Sequence, residues 1–203
     1  MINIIAYIYY ILITFMNFIK LLRSKKSIFT IDDLKMILDT TNSATIRNYL
    51  SRAKEKWLVK QVFYWVWKLV DKELDLLELA CKINKNSYIS FETVLKKYWA
   101  IFQYYDTIFL ASNKSIEKKA LNQTFKTIKL KASILLNPLW VENKKTYSIA
   151  TLERAICDRV YISPNYYFDD LSNIDWDKLE TISEIYNNRV IKEIKLLRNK
   201  YAK

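Results

Sequence analysis

Histidine is absent from this chain of 203 residues, and cysteine occurs only twice, as Cys81 and Cys157. Without imidazole, the chain has no serine-protease-type triad, no histidine-ligated metal site and no histidine acid–base catalysis. Two isolated thiols do not form a cysteine-rich zinc site, and in a chain of this size they are typical of the reducing cytoplasm. We therefore expect a cytoplasmic protein without a metal or other cofactor.

Glycine is absent as well, whereas a chain of this length ordinarily contains about 14 glycines. Tryptophan, in contrast, occurs six times. Four tryptophans stand where a backbone favours φ > 0, the conformation that glycine adopts most easily. Trp57 and Trp99 follow predicted helix ends, Trp65 separates two β-rich runs, and Trp140 follows Asn137-Pro138-Leu139.

Our hypothesis is that these four positions carry glycine in the cell, encoded by UGA in a reassigned code. Trp67 and Trp176, by comparison, stand at ordinary aromatic positions. The alternative is a tryptophan-rich protein in which bulky side chains strain its turns. TGG codons at the four positions would exclude the hypothesis.

The amino-terminal residues 2–19 contain no charged side chain, and Lys20, Arg23, Lys25 and Lys26 follow them. This pattern is compatible with a membrane anchor, because the length reaches the lower end of a transmembrane span. It is also compatible with a start codon chosen too early, with Met16 as the true start, or with an additional packed helix. We treat residues 1–15 as an apolar extension of the first domain.

The chain has an excess of basic residues, with a formal net charge of +12. Residues 1–70 carry 11 basic and 4 acidic side chains, a net charge of +7. A basic excess favours a polyanionic partner, most often nucleic acid. We therefore expect any nucleic-acid interface to lie in the first third of the chain.

Two short amphipathic helices are predicted in this third. Thr30 is suited to cap a helix over 31–38, and a second helix follows over 44–56 after a turn of about four residues. On the second helix, one stripe at helical spacing is apolar and predicted to be buried: Ile46, Tyr49, Leu50 and Ala53. A helix pair with this spacing is typical of a helix-turn-helix.

Residues 58–64 and 66–70 are predicted to form a β-hairpin, which completes a winged helix-turn-helix domain over residues 16–70. Arg47 and Asn48 suit guanine and adenine edges, and Lys54, Lys60 and Lys68 suit phosphates. The alternative is that the basic residues form a solvated helix face. The candidate DNA-binding residues are Ser43, Thr45, Arg47, Asn48, Ser51, Arg52, Lys54, Lys60, Gln61, Tyr64 and Lys68.

Residues 71–203 are predicted to form a second, mixed α/β domain, which makes the whole chain an α+β protein. We expect helices over 71–82, over 91–98 with Ser90 as its cap, and over 149–161 with Thr151 or Ala150 at its start. Strands are expected over 104–111, 124–130 and 144–149, and one or two amphipathic helices over 175–203.

This second domain offers few groups for catalysis. Glu153 and Asp158 are five residues apart on one predicted helix and so point to different faces, and Arg154 and Asp158 are expected to form an ion pair on the helix surface. Cys81 is expected to be a packed thiol, and Cys157 lacks a histidine to activate it. A glycine-rich phosphate loop is also missing. We therefore predict that the protein is not an enzyme.

Three segments occur in an order that resembles the AbiEi-type antitoxins of type IV toxin–antitoxin systems, which are also transcriptional regulators. They are Phe29-Thr30-Ile31-Asp32-Asp33-Leu34 with the later Trp57-Leu58-Val59-Lys60, then residues 87–95 with Tyr98-Trp99, then residues 149–161. The last is similar to the family pattern "ia-x-x-E-(R/K)-A-hydrophobic-x-D". Trp57, Trp65 and Trp99 depart from the family at glycine positions.

The resemblance implies that the winged helix binds inverted repeats in the promoter of its own operon and represses it. It also implies that residues 71–203 form an antitoxin domain that counteracts a nucleotidyltransferase toxin of the AbiEii type. Toxin and antitoxin in this family are not held to form a stable complex, so direct binding does not follow. A different interpretation is a stand-alone DNA-binding regulator whose second domain senses a ligand or dimerises.

Overall fold

A computed structural model of the chain describes residues 16, 18–24, 26–103 and 105–201. The apolar extension over residues 1–15 lies outside the described residues, so the three interpretations of that segment stay open. In the part of the chain that is described, no helix is both long and apolar enough to cross a membrane. The chain divides between Asp75 and Leu76 into two compact units, five residues beyond the boundary that we expected.

In its described residues, the first unit contains three helices and a small sheet. Residues 18–23 are helical (α1), and β1 (Ile28–Thr30), α2 (Ile31–Leu38), α3 (Ser43–Glu55), β2 (Val59–Phe63) and β3 (Val66–Leu69) follow. The three strands are antiparallel in the order β1-β3-β2. The predicted helix pair and hairpin are thus both present, whereas β1 was not predicted.

Local hydrogen bonds explain where α2 and α3 begin. Thr30 and Asp33 form a reciprocal capping box at the start of α2, which confirms Thr30 as its cap. Helix α3 begins one residue earlier than predicted, because the Asn42 side chain accepts hydrogen bonds from the amides of Ala44 and Thr45. Of the two caps, the one at Asn42 fixes the end of the turn that joins α2 to α3.

The core of the first unit is built from all of these elements. The stripe predicted to be buried on α3 is buried as expected: Ile46, Tyr49, Leu50 and Ala53. It packs with Leu21 of α1, Phe29 of β1 and Leu34 of α2. Val59 and Leu69, directly opposite each other in the hairpin, close the same core. Burial of this stripe fixes which face of α3 is exposed.

The second unit surrounds a six-stranded mixed sheet in the order β6-β7-β5-β4-β9-β8. Its strands are β4 (Tyr88–Ile89), β5 (Thr107–Ser112), β6 (Ile116–Ala120), β7 (Gln123–Lys129), β8 (Val141–Asn143) and β9 (Ser148–Ala150). Its helices are α4 (Leu76–Ile83), α5 (Glu92–Lys97), α6 (Ala132–Leu135), α7 (Leu152–Ile162), α8 (Trp176–Ser183) and α9 (Asn188–Tyr201). A mixed α/β second domain is therefore confirmed.

Several details of the second unit differ from expectation, including α6, which was not predicted, and α7, which begins at Leu152 and not at residue 149 because residues 148–150 form β9. Helix α4 begins at Leu76, so a helical start at residue 71 was wrong. Ser90 does not cap α5, because its hydroxyl donates to Asp158 instead. Strands β4, β6 and β8 were not predicted. Thr151 does cap α7, since its hydroxyl oxygen accepts a hydrogen bond from the Arg154 amide.

The backbone angles test the four tryptophan positions. Trp57, Trp99 and Trp140 have φ values of 57°, 61° and 61°, as predicted. Trp65 lies in the turn between β2 and β3 but is not among the residues with positive φ, so that part of the prediction was wrong. The turn at residues 64–65 closes without a left-handed residue.

Candidate nucleic-acid interface

The exposed side of α3 carries two polar flanks. Arg47, Ser51 and Lys54 follow one another at helical spacing along one flank, and all three are exposed. Thr45, Asn48 and Arg52 do the same along the other flank. Ser43, at the first position of the helix, is half-buried. The apolar stripe holds the opposite side of α3 in the core, so both flanks face solvent.

The first flank of α3 and the β2–β3 hairpin line the same surface depression. Arg47, Ser51, Lys54 and Tyr64 line a cleft of about 300 Å³, together with apolar residues of the core margin. A neighbouring groove of about 1090 Å³ is shared by Ser51, Lys54, Tyr64, Lys60 and Gln61. Helix and hairpin thus line adjoining depressions in which these polar and basic side chains stand among apolar ones, and we call this the α3–hairpin surface.

Aromatic and amide groups shape the tip of the hairpin. The Gln61 side-chain amide donates a 2.6 Å hydrogen bond to the Tyr64 carbonyl, which ties strand β2 to the turn. The Phe63 ring meets the Tyr64 and Trp65 rings edge to face, at 5.0 and 5.4 Å between centroids. The Tyr64 side chain remains 79% exposed. This ring is therefore held in place and still accessible to a partner.

The α3–hairpin surface carries Arg47, Lys54 and Lys60 as exposed cations. Within the described ranges, no carboxylate lies at ion-pair distance from Arg47, Lys54 or Lys60. Glu55 is an acidic member of the groove lining. Because unpaired exposed cations raise the local positive potential, this surface is suited to an external polyanion.

Lys68 differs from the other candidate residues. It lies directly opposite Lys60 in the hairpin, but it is half-buried and its ammonium donates a 2.9 Å hydrogen bond to the Lys72 carbonyl. The ammonium therefore stabilises the turn after β3.

Two residues that were not predicted from the sequence, Trp57 and Val59, also line the groove. They were not predicted because a tryptophan and a buried valine carry no charge signal.

In the second unit, Arg154 and Asp158 form a fully buried cluster, so the expectation of a surface ion pair was wrong. Both side chains have 0% exposure, and Nε of Arg154 lies 3.6 Å from Oδ1 of Asp158. Asp158 also accepts hydrogen bonds from Ser90, Tyr186 and Tyr88, at 2.7, 2.6 and 3.0 Å. Burial raises the pKa of the Asp158 carboxyl, and the Arg154 charge opposes that rise.

The remaining contacts of Arg154 are also internal. Its guanidinium donates to the carbonyls of Leu139 and Ile134, at 3.0 and 2.7 Å, and to the Tyr88 hydroxyl at 3.1 Å. Burial raises the pKa of the Tyr88 and Tyr186 hydroxyls well above the usual range. The cluster ties α7 to β4, α6 and the segment after α8, and its polar groups are turned toward one another.

The other charged residues near α7 are paired as well. Glu153 binds Lys178 at 2.8 Å, and Arg159 binds Glu92 at 3.2 Å. Glu153 and Asp158 thus have separate partners, as their spacing predicted. The Cys157 thiol is buried, and burial raises its pKa well above the usual range. No group of histidine, cysteine and acidic side chains that could hold a metal occurs among the residues that the structure covers.

Comparisons with known proteins support the fold. No family model and no curated protein matches the sequence. Among solved structures, the chain is similar to the crystal structure of the RV2827C protein from Mycobacterium tuberculosis, with a TM-score of 0.53 and 9% identity. The match covers 90% of this chain and 74% of that one. At this identity the likeness extends to the fold, which is a mixed α/β arrangement.

Proposed function

We propose that the first unit is a winged-helix DNA-binding domain. The observation that carries this proposal is the α3–hairpin surface, where Arg47, Ser51 and Lys54 share a cleft with the exposed Tyr64. A helix beside a two-stranded wing is the arrangement that winged helix-turn-helix domains present to duplex DNA. The alternative is that α3 is only a solvated helix face. That alternative gives no reason for basic residues of the helix and of the hairpin to line the same groove, whereas DNA binding does.

The roles of the side chains follow from their chemistry and position. Arg47 and Asn48 are exposed in the first half of α3 and carry the donor patterns that match guanine and adenine edges in the major groove. Lys54 of α3 and Lys60 of β2 both line the larger groove, where they can contact phosphates. Lys68 contributes less, because its ammonium is engaged by a backbone carbonyl.

We further propose that the protein is a cytoplasmic antitoxin of a type IV system, which represses its own operon and counteracts a nucleotidyltransferase toxin without catalysis. This proposal is supported by the three segments that resemble AbiEi-type antitoxins and by a second unit separate from the basic one. The inward-facing Arg154–Asp158 cluster gives the third segment a structural role. The second candidate is a regulator whose second unit senses a ligand or dimerises.

The DNA-binding proposal is tested with the duplex immediately upstream of the gene. Arg47→Ala is expected to weaken binding by about 1–3 kcal/mol if the guanidinium reads a base, and the loss should be greater for the operator than for random DNA. Lys60→Ala should weaken both duplexes alike and reduce the slope of log K against log salt by about 0.9. Lys195→Ala is the matched control, because Lys195 is exposed on α9 in the other unit.

Operator affinities of Arg47→Ala and Lys60→Ala equal to that of the Lys195→Ala control would refute the proposed surface. The antitoxin proposal needs a separate assay, in which the nucleotidyltransferase encoded next to this gene is expressed with the full-length chain. Growth rescue is expected, and it should persist in the Arg47→Ala variant because that residue belongs to the DNA surface. Repression without rescue would favour the stand-alone regulator.

A further inference from the structure

We infer that positions 57, 99 and 140 carry glycine in the protein made by its own cell, and that positions 67 and 176 carry tryptophan. The inference is independent of the proposed function. It rests on a chain without glycine in which three of the six tryptophans adopt a left-handed backbone. For a bulky side chain this conformation is a genuine outlier, whereas glycine adopts it at no steric cost.

Trp57 ends α3 in the hydrogen-bond pattern known as the Schellman motif. The amide of Trp57 donates to the Lys54 carbonyl at 3.0 Å, and the amide of Leu58 donates to the Ala53 carbonyl at 2.9 Å. With Lys56 as the C-cap, Trp57 occupies the C′ position, where the backbone is left-handed with φ of 57°. Glycine is the usual residue at this position.

Trp99 ends α5 with the same pattern. Its amide donates to the Lys96 carbonyl at 3.1 Å, and the amide of Ala100 donates to the Leu95 carbonyl at 2.9 Å. Tyr98 is the C-cap, so Trp99 is again at C′, with φ of 61°. Two helices from separate units thus terminate identically, and the same improbable residue type stands at both C′ positions.

Trp140 occupies the third position of a tight turn. The amide of Val141 donates to the Pro138 carbonyl at 3.1 Å, which closes a four-residue turn over residues 138–141. With φ of 61°, Trp140 has the positive angle that a type II turn requires at its third residue. Glycine or asparagine ordinarily stands there.

The side chains at these positions add a second argument. Trp57 and Trp99 are 83% and 68% exposed, although tryptophan is highly buried on average. Trp67 packs partly against the core of the first unit, and Trp176 begins α8 half-buried. By backbone conformation, Trp57, Trp99 and Trp140 form a left-handed group, whereas Trp65, Trp67 and Trp176 are not left-handed. Two different genetic assignments would produce such a division.

Positive φ alone would not support the inference. Asparagine and aspartate tolerate this conformation and account for Asp39, Asn86, Asn122 and Asn165, while Leu121 and Phe91 show that other bulky residues adopt it in this chain. What distinguishes the tryptophans is that one bulky residue type recurs at three left-handed positions with glycine-type hydrogen-bond motifs, in a chain without any glycine. A UGA codon that the cell reads as glycine, but that the printed sequence translates as tryptophan, explains all three features together.

Peptide mass spectrometry of the protein from its own source gives the direct test. Trypsin releases residues 57–60, 98–114 and 132–144 as separate peptides, since each is bounded by lysines. We expect glycine in all three and tryptophan in the peptides that contain positions 67 and 176. Tryptophan at 57, 99 or 140 overturns the inference, as do UGG codons at those positions in the gene.

The folding stability of variants of the recombinant chain provides an independent test of the backbone strain. Trp57→Gly and Trp99→Gly should each raise the folded-to-unfolded ratio by about fivefold or more. The reason is that glycine removes the steric cost that a bulky residue has in the left-handed conformation. Trp67→Gly is the matched control and should lower the ratio, since it removes a side chain packed on the core. Unchanged or lower stability in both the Trp57→Gly and the Trp99→Gly variants would overturn the argument.

Discussion

Removal of the Asp158 carboxylate should unfold the second unit at a much lower temperature. In Asp158→Ala, the Arg154 guanidinium stays fully buried without its counter-ion, and three hydroxyl groups lose their acceptor. Breaking a buried pair by removing one partner costs about 3–5 kcal/mol. At roughly 2–4 °C per kcal/mol for a chain of this size, the unfolding midpoint should fall by about 6–20 °C.

Two further variants separate charge from hydrogen bonding in this prediction. Asp158→Asn keeps an acceptor oxygen but removes the negative charge, so its midpoint should lie between those of wild type and Asp158→Ala. Arg198→Ala removes an ion pair with Asp177 and Glu180 at the surface and should leave the midpoint almost unchanged. Thermal unfolding followed by circular dichroism measures all three. Equal midpoints for Asp158→Ala and Arg198→Ala would refute the buried, charge-paired cluster.

Three other predictions concern the first unit and the cluster. Tyr49→Phe should maintain or raise stability in urea, because the Tyr49 hydroxyl is buried without a partner among the described residues, whereas Tyr186→Phe should lower it by removing a bond to Asp158. Burial raises the pKa of Tyr49 to about 12, above its value of 10.0 when exposed, so the stabilisation from neutral Tyr49 is complete below pH 10 and is lost as the pH rises toward 12. Urea unfolding from pH 8 to 12 should therefore show a steeper alkaline loss in wild type than in Tyr49→Phe, and parallel curves would contradict this. Thr30→Ala should destabilise the first unit by about 1 kcal/mol through loss of the capping box, and an unchanged urea midpoint would contradict it.

The elements of the first unit could be predicted because their signals are local. The cap at Thr30, the apolar stripe of α3 and the alternation in the hairpin depend on residues a few positions apart. Strand β1 was missed because its three residues are stabilised by pairing with β3, about forty positions later in the chain. The helix-capping signals also identified two of the three left-handed tryptophans.

The second unit was harder to predict because its interactions are non-local. Ser90 has the composition and position of an N-cap, but its hydroxyl binds Asp158, which lies 68 positions away. Likewise, the four-residue spacing of Arg154 and Asp158 is typical of a surface pair on an isolated helix. Helix α7 is instead buried on nearly all sides, so the same spacing produces an interior cluster. At the candidate DNA surface, the sequence indicated which side chains are polar. Which of them share a cleft is determined by the hairpin turn, because the turn sets where the strand residues lie beside α3.

The strand order of the second sheet has a consequence for folding during protein synthesis. Strand β4 can pair with β5 once Ser112 has been made, but its parallel pairing with β9 through Ile89 and Ile149 has to wait for Ile149. The first sheet is complete once Leu69 has been made. Because distant pairing slows folding, we expect the amino-terminal unit to fold while the remainder of the nascent chain is still being synthesised.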